Sequence, residues 1–217
     1  MAEPTTYILT EGKADDAFFT NLIAARKIGD FFRTLPRPEN EPTGVGAFAR
    51  RLIALKTSRE IEKIKSIIIV GDNDGDPAVA FRDIKKQIES VGGYNIPVNP
   101  REFSTKNDLP AVSILMLPWD TEQGCLETLC LRGVNKKYEK EMQCSVKISE
   151  CLAISSWPIS KQSKLILRCF LAAVCQSDPN TPLHRAWSTD KGKCEDIFPL
   201  DNAAFDSVAE FMRRMAT

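Results

Sequence analysis

The chain has 217 residues, 43% hydrophobic and 27% charged, enough for one sizeable core or one domain with a helical appendage. Its 29 basic and 29 acidic residues cancel, with a sequence pI of about 6.6, which argues against a nucleic-acid binder that works by charge alone. The opening Met1-Ala2-Glu3-Pro4 lacks the segments of a secretory signal, and no apolar stretch approaches the roughly 20 residues that span a bilayer, so a cytoplasmic protein is expected.

Residues 6–10 read as a first strand ending at Glu11-Gly12. From 14 to 28 the residues Ala17, Phe18, Leu22, Ala25 and Ile28 recur at helical spacing, with Gly29 as a stop. A short second strand is expected over 32–35, and a second helix over about 45–56 with Phe48, Leu52 and Leu55 on one face. Ile67, Ile68, Ile69 and Val70 then form an unbroken β-branched run, the mark of a strand buried on both faces of a parallel sheet. A helix over 78–90 closes at Gly92-Gly93. Residues 96–103, interrupted by Pro97 and Pro100, read as an edge strand, and 111–117 as a further buried strand. Helical spacing returns over 122–131, with Leu126, Leu129 and Cys130.

Strand and helix thus alternate through the first 117 residues or so, which predicts an α/β fold: a mostly parallel sheet with helices on both faces. Beyond about 134 the strand signal fades, and helices stand out over 161–175 and 203–215, the latter with Asp201 as a candidate cap. The expected organisation is an α/β domain over 1–131 and a helical extension over 132–217 packed on the same core. Seven cysteines (Cys125, Cys130, Cys144, Cys151, Cys169, Cys175 and Cys194) include no C-x-x-C pair, and His184 is the single histidine, which argues against zinc. Cys169 and Cys175 fall in an apolar helical pattern, and reduced thiols are expected.

The chemistry concentrates where the third strand ends, at Gly71-Asp72-Asn73-Asp74-Gly75-Asp76-Pro77. A spacing of two on an extended chain points Asp72 and Asp74 the same way, at the strand edge where open α/β sheets bind ligands. Carboxylates so close repel unless a proton or cation intervenes, and an oxygen cluster suits Mg2+ or Mn2+. The competing reading is a polar turn with the bend at Asp74-Gly75. A calcium-binding EF-hand loop is excluded: Pro77 stands where that loop needs glycine, Asp83 where it needs glutamate, and a strand precedes it. An apolar strand ending in Asp-x-Asp-Gly also resembles the nucleophile motif of haloacid-dehalogenase-type phosphatases, although there threonine or valine usually follows and here Asp76 does.

Glu11-Gly12 on the first strand and Asp72-x-Asp74 on the third, about sixty residues later, resemble the Toprim domain of topoisomerases, primases and OLD-type nucleases. Glu11-Gly12-Lys13-Ala14-Asp15 and the later Gly124-Cys125-Leu126-Glu127 look most like the OLD branch, over roughly residues 6–131. The resemblance implies a four-stranded parallel sheet and a Mg2+- or Mn2+-dependent nuclease acting on DNA or RNA. Asp72 and Asp74 would then be ligands, Glu11 a ligand or general acid/base, Asp15 a ligand of a second ion, and Glu127 the closing carboxylate. Asp15 and Asp16 equally suit the N-terminal charges of a helix, and Glu127 a solvated helix position. Asp76 counts among the candidate ligands, although its place beside Pro77 suits a helix cap better.

OLD-type nucleases also use a late lysine. Lys191 and Lys193 are the candidates, against the alternative of a solvated loop. No G-x-x-x-x-G-K-[ST] is present, so an ATPase would have to be a separate partner. A non-catalytic metal- or nucleic-acid-binding module and a phosphatase remain the alternatives to a nuclease.

Overall fold

The β-branched run 67–70 lies at the middle of the molecule in a computed structural model, which describes residues 5–29, 31–35, 47–105, 108–187 and 196–215. It forms most of β3 (Ser66–Asp72), flanked by β1 (Thr6–Leu9) and β4 (Ala111–Leu117), with β2 (Phe32–Leu35) beyond β1. The order is β2-β1-β3-β4 and every pairing is parallel, Thr6 standing opposite Ser66 and Asp72 opposite Leu117. Alternation along the strands divides the core in two. Tyr7, Leu9, Ile67, Ile69, Val112, Ile114 and Met116 serve one face, and Ile8, Ile68, Val70, Leu115 and Leu117 the other.

The first face is covered by α2 (Ala47–Lys56), through Phe48, Leu52 and Leu55, and by α3 (Pro77–Val91), through Ile84 and Ile88. The second is covered by α1 (Lys13–Ala25), α4 (Leu126–Arg132), α6 (Ile159–Val174) and α7 (Asp206–Met215). Its centre is aromatic: Phe18 lies 5.2 Å from Phe19, 5.7 Å from Trp187 and 5.4 Å from Phe205 between ring centroids. The fold is therefore the expected α/β one, with a parallel sheet, helices on both faces and C-terminal helices built onto the same core.

Several elements differ from their sequence reading. Residues 96–103 are not a strand. Prolines 97 and 100 have no N–H to give, and Arg101 sits at φ 65°, so the segment only touches the edge of β4, through Arg101 N–H to Ile114 O (2.8 Å) and Ser104 N–H to Val112 O (2.8 Å). The helix expected from 122 starts at Leu126, after Gly124 at φ 140°. A further helix, α5 (Glu139–Cys151), carries little periodic signal because Ser145 is its one buried residue. Ahead of α7 the side chain that accepts a backbone N–H is Asn202, from Ala204, rather than Asp201. Cys125, Cys130, Cys144, Cys151 and Cys169 are free, but Cys175 is disulfide-bonded, so it is not the reduced core thiol expected. Among the described residues no helix is long and apolar enough to cross a membrane.

Candidate functional site

The strand order reverses between β1 and β3. The chain leaves β1 for α1 on one face of the sheet and leaves β3 for α3 on the other, which opens a crevice at their carboxyl ends. Glu11 lies two residues past β1 and Asp72 is the last residue of β3, so both stand at this crevice. Glu11 Oε1 lies 3.4 Å from the backbone N of Asp72, and buried Arg51 of α2 donates to the carbonyls of Thr10 and Leu35, fixing the ends of β1 and β2. Gly71 lets Ile84 and Glu11 approach the strand here. A Cβ there would come within 2.4 Å of Ile84 Cδ1 and 3.4 Å of Glu11 Oε1.

Asp72 is the anchor of the site, its side chain only 15% exposed. Its Oδ1 accepts the backbone N–H of Leu126 (3.1 Å) at the start of α4, and its Oδ2 lies 3.8 Å from Lys164 Nζ of α6. Asn73, the middle residue of Asp-x-Asp, is fully buried. It donates from Nδ2 to the carbonyls of Asp120 and Glu122 (2.8 and 2.7 Å) and from its backbone to Leu117 O (2.8 Å). The loop is thus tied down by the amide between the two aspartates. Asp74 is 63% exposed, at φ 31°, with Oδ1 4.0 Å from Lys164 Nζ.

Asp76, counted among the candidate ligands, is a helix cap: its Oδ1 accepts from Ala78 N and Val79 N at 2.9 and 3.1 Å. Asp16 accepts from Thr10 Oγ1 (2.7 Å) and so holds the turn between β1 and α1. Asp15, one residue earlier, joins the acidic group instead. Burial, then Glu11 and Glu127, push its pKa up to about 7. Burial also raises Asp72, helped by Asp15 and Glu11 and opposed by Lys164. Glu11 is raised by desolvation and by Asp74, against the Asp72 N–H and Lys164, even though part of its side chain reaches solvent at the rim. Glu127, in the first turn of α4, brings a carboxylate oxygen within 4.8 Å of ligand atoms on Asp72 and Cys125.

Glu11, Asp15, Asp72, Asp74 and Glu127 gather at the crevice, where Lys164 lies beside Asp72 and Asp74 and the Arg51 guanidinium reaches the carbonyl next to Glu11. Burial opposes the charge on Lys164, but Asp72 and Glu127 outweigh it and raise its pKa. Cys125 does not add a thiolate, because burial and the carboxylates of Glu127 and Asp72 drive its pKa up and keep the thiol protonated. The donor set that remains is all oxygen and is drawn from four separate elements. It fits a hard divalent cation of the Mg2+ or Mn2+ type.

Sequence reasoning missed Lys164, and the earlier candidates Lys191 and Lys193 lie outside the described residues. Ser160, Ser163 and Leu167 form the buried stripe of α6, and position 164 borders that stripe. The register of α6 on α4 is set by Thr128 Oγ1, which bonds Ser163 Oγ at 2.8 Å and receives the Cys125 N–H at 3.1 Å. The next residue of α6 after Ser163 is then the lysine at the crevice.

A family model described as a protein of unknown function, DUF3226, matches residues 5–217, and the chain belongs to that family. Neither the curated proteins nor the solved structures include a match.

Proposed function

We propose that this DUF3226 member is a Toprim-like, Mg2+- or Mn2+-dependent phosphodiesterase acting on nucleic acid. The observation that carries the reading is the convergence of Glu11, Asp15, Asp72, Asp74 and Glu127 at the β1/β3 crevice, with the acids at 11, 15 and 72 all held above their ordinary pKa. Asp72, Glu127 and Asp15 would hold the cations, and Glu11 and Asp74 border them. Bound there, such ions neutralise phosphate charge and make water a better nucleophile.

The chain's own residues supply the rest. Lys164 carries the positive charge that meets a non-bridging or leaving phosphate oxygen. Glu11, whose carboxyl is held above its ordinary range by burial, suits the proton acceptor: water adds to phosphorus, its proton passes to the carboxylate, and the P–O bond breaks with its electron pair going to the leaving oxygen. A phosphatase route through covalent attack by Asp72 is less favoured, because both its oxygens are already engaged, Oδ1 by the Leu126 N–H and Oδ2 beside Lys164.

The test is a pair of measurements. Millimolar Mn2+ is expected to raise the melting temperature, the gain being about 2.7 kcal/mol at a hundredfold excess over Kd. Mn2+-dependent cleavage of DNA or RNA is expected in the wild type and not in Glu11→Gln. A melting temperature indifferent to Mn2+, with no cleavage above that of Glu11→Gln, rejects the proposal.

A further inference from the structure

We infer that the cavity formed by α6 and residues 179–183 receives one unpaired nucleotide, so that the substrate is single-stranded at the point of attack. The inference rests on the phosphodiesterase reading and adds the form of nucleic acid. The cavity has a volume of about 630 Å³, the size of pockets that hold a single small ligand. Leu171, Pro179 and Pro182 give it apolar walls, and Asn180 adds both an amide donor and an acceptor for a base edge.

Two residues, Glu127 and Lys164, belong both to this cavity and to the acidic crevice. A phosphate at the crevice and a base in the cavity are therefore neighbours, as within one nucleotide. Arg168, one turn beyond Lys164 on α6, gives the same cavity a second cation for an adjoining phosphate. A stacked and paired base cannot enter such a space without leaving its duplex. The balance of 29 basic and 29 acidic residues also favours a base-directed grip over a broad electrostatic track along duplex backbone. The comparable cavity of about 610 Å³ beside α3 has Arg82 and Lys85 but none of the crevice acids.

The experiment measures binding of a short labelled single strand and of its blunt duplex by fluorescence anisotropy, with Ca2+ replacing Mn2+. Single 4-thiothymidine substitutions map the contact by photo-crosslinking. The single strand is expected to bind roughly tenfold or more tightly than the duplex, about the contribution of one well-packed base. Crosslinks are expected within 167–183. Ala172→Trp and Asn180→Trp, which fill the cavity from its half-buried and exposed sides, should remove that advantage while keeping the Mn2+-induced rise in melting temperature. Asn180→Trp carries the test if Ala172→Trp does not fold. Equal binding of both forms, no binding of either, wild-type affinity in the Trp variants, or crosslinks on α3 would overturn the inference. A retained Mn2+ response alongside any of these assigns the failure to the cavity, and its loss from the wild type assigns it to the cation reading.

Discussion

The two faces of the sheet use the same strands for different ends. Under α2 and α3 the buried core is aliphatic apart from Tyr7, Phe48 and Tyr94, and its helices bring to the crevice the Arg51 clasp on the strand ends, the cap Asp76 and the packing of Ile84 against Gly71. Under α1, α4, α6 and α7 the core is larger and aromatic, and three of its helices deliver Asp15, Glu127 and Lys164. One face is scaffold, and the other places charge. The difference teaches that a strand-end site here is completed by helices on a single side, whose heavy aromatic packing holds mutually repelling side chains in place.

That contrast can be broken most sharply at Asp72. Asp72→Asn should lower cleavage by roughly a thousandfold, the scale of losing a group that stabilises charge in the transition state. Its melting temperature without added cation should stay level or rise, because a repelling buried acid has been removed. A large drop in stability with activity intact would make Asp72 structural. On the scaffold face the reverse is expected. Leu52→Ala, at a fully buried position, should cost about 2–5 kcal/mol by denaturant unfolding while the folded protein keeps its Mn2+ response. Loss of that response would mean the faces are not separable.

The acid-bearing face should also show itself in pH. Glu11, Asp15 and Asp72 bind protons more tightly folded than unfolded, so the stability they add is present at low pH and is lost as pH rises from about 4 through the value of about 7 reached by Asp15. The cation-free protein should melt several degrees higher at pH 5 than at pH 8. The Mn2+-induced shift should grow over the same range, since ligands must be deprotonated. A cation-free melting temperature that climbs from pH 5 to 8 contradicts the arrangement. The smallest effect belongs to Asp76→Ala, which removes a cap worth about 1 kcal/mol and should leave cleavage and Mn2+ binding unchanged. A weakened Mn2+ response there would return Asp76 to the ligand set.

The sheet was legible because its signals are local. The unbroken run 67–70 states a strand buried on both faces, and the four residues of β2 stand where their hydrophobic pattern puts them. The meeting of Glu11 and Asp72 follows from two strands that each end in an acid. Lys164 was not legible, since its meaning depends on how α6 packs on α4 through Thr128 and Ser163, which no spacing in the chain records. The three aspartates 72, 74 and 76 share a spacing of two, and Pro77 already marked the last as the better helix cap. The turn into α3 makes it that cap, its Oδ1 taking the N–H groups of Ala78 and Val79. Helix α5 escaped notice because a solvated helix has no apolar period to read, and 96–103 was misread because extended residues between prolines mimic a strand.

The pairing of β1 with β3 has a kinetic consequence. Thr6 meets Ser66 only after the chain closes a loop of about sixty residues that contains β2 and two helices. Local helices form far faster than so distant a strand pair, so the crevice is among the last features to exist as the chain folds. A contiguous acidic loop can capture an ion while most of a protein is still unfolded. Donors spread from residue 11 to residue 127 cannot. A cation bound here would therefore act as a latch on the finished fold, slowing unfolding and leaving the refolding rate where it was.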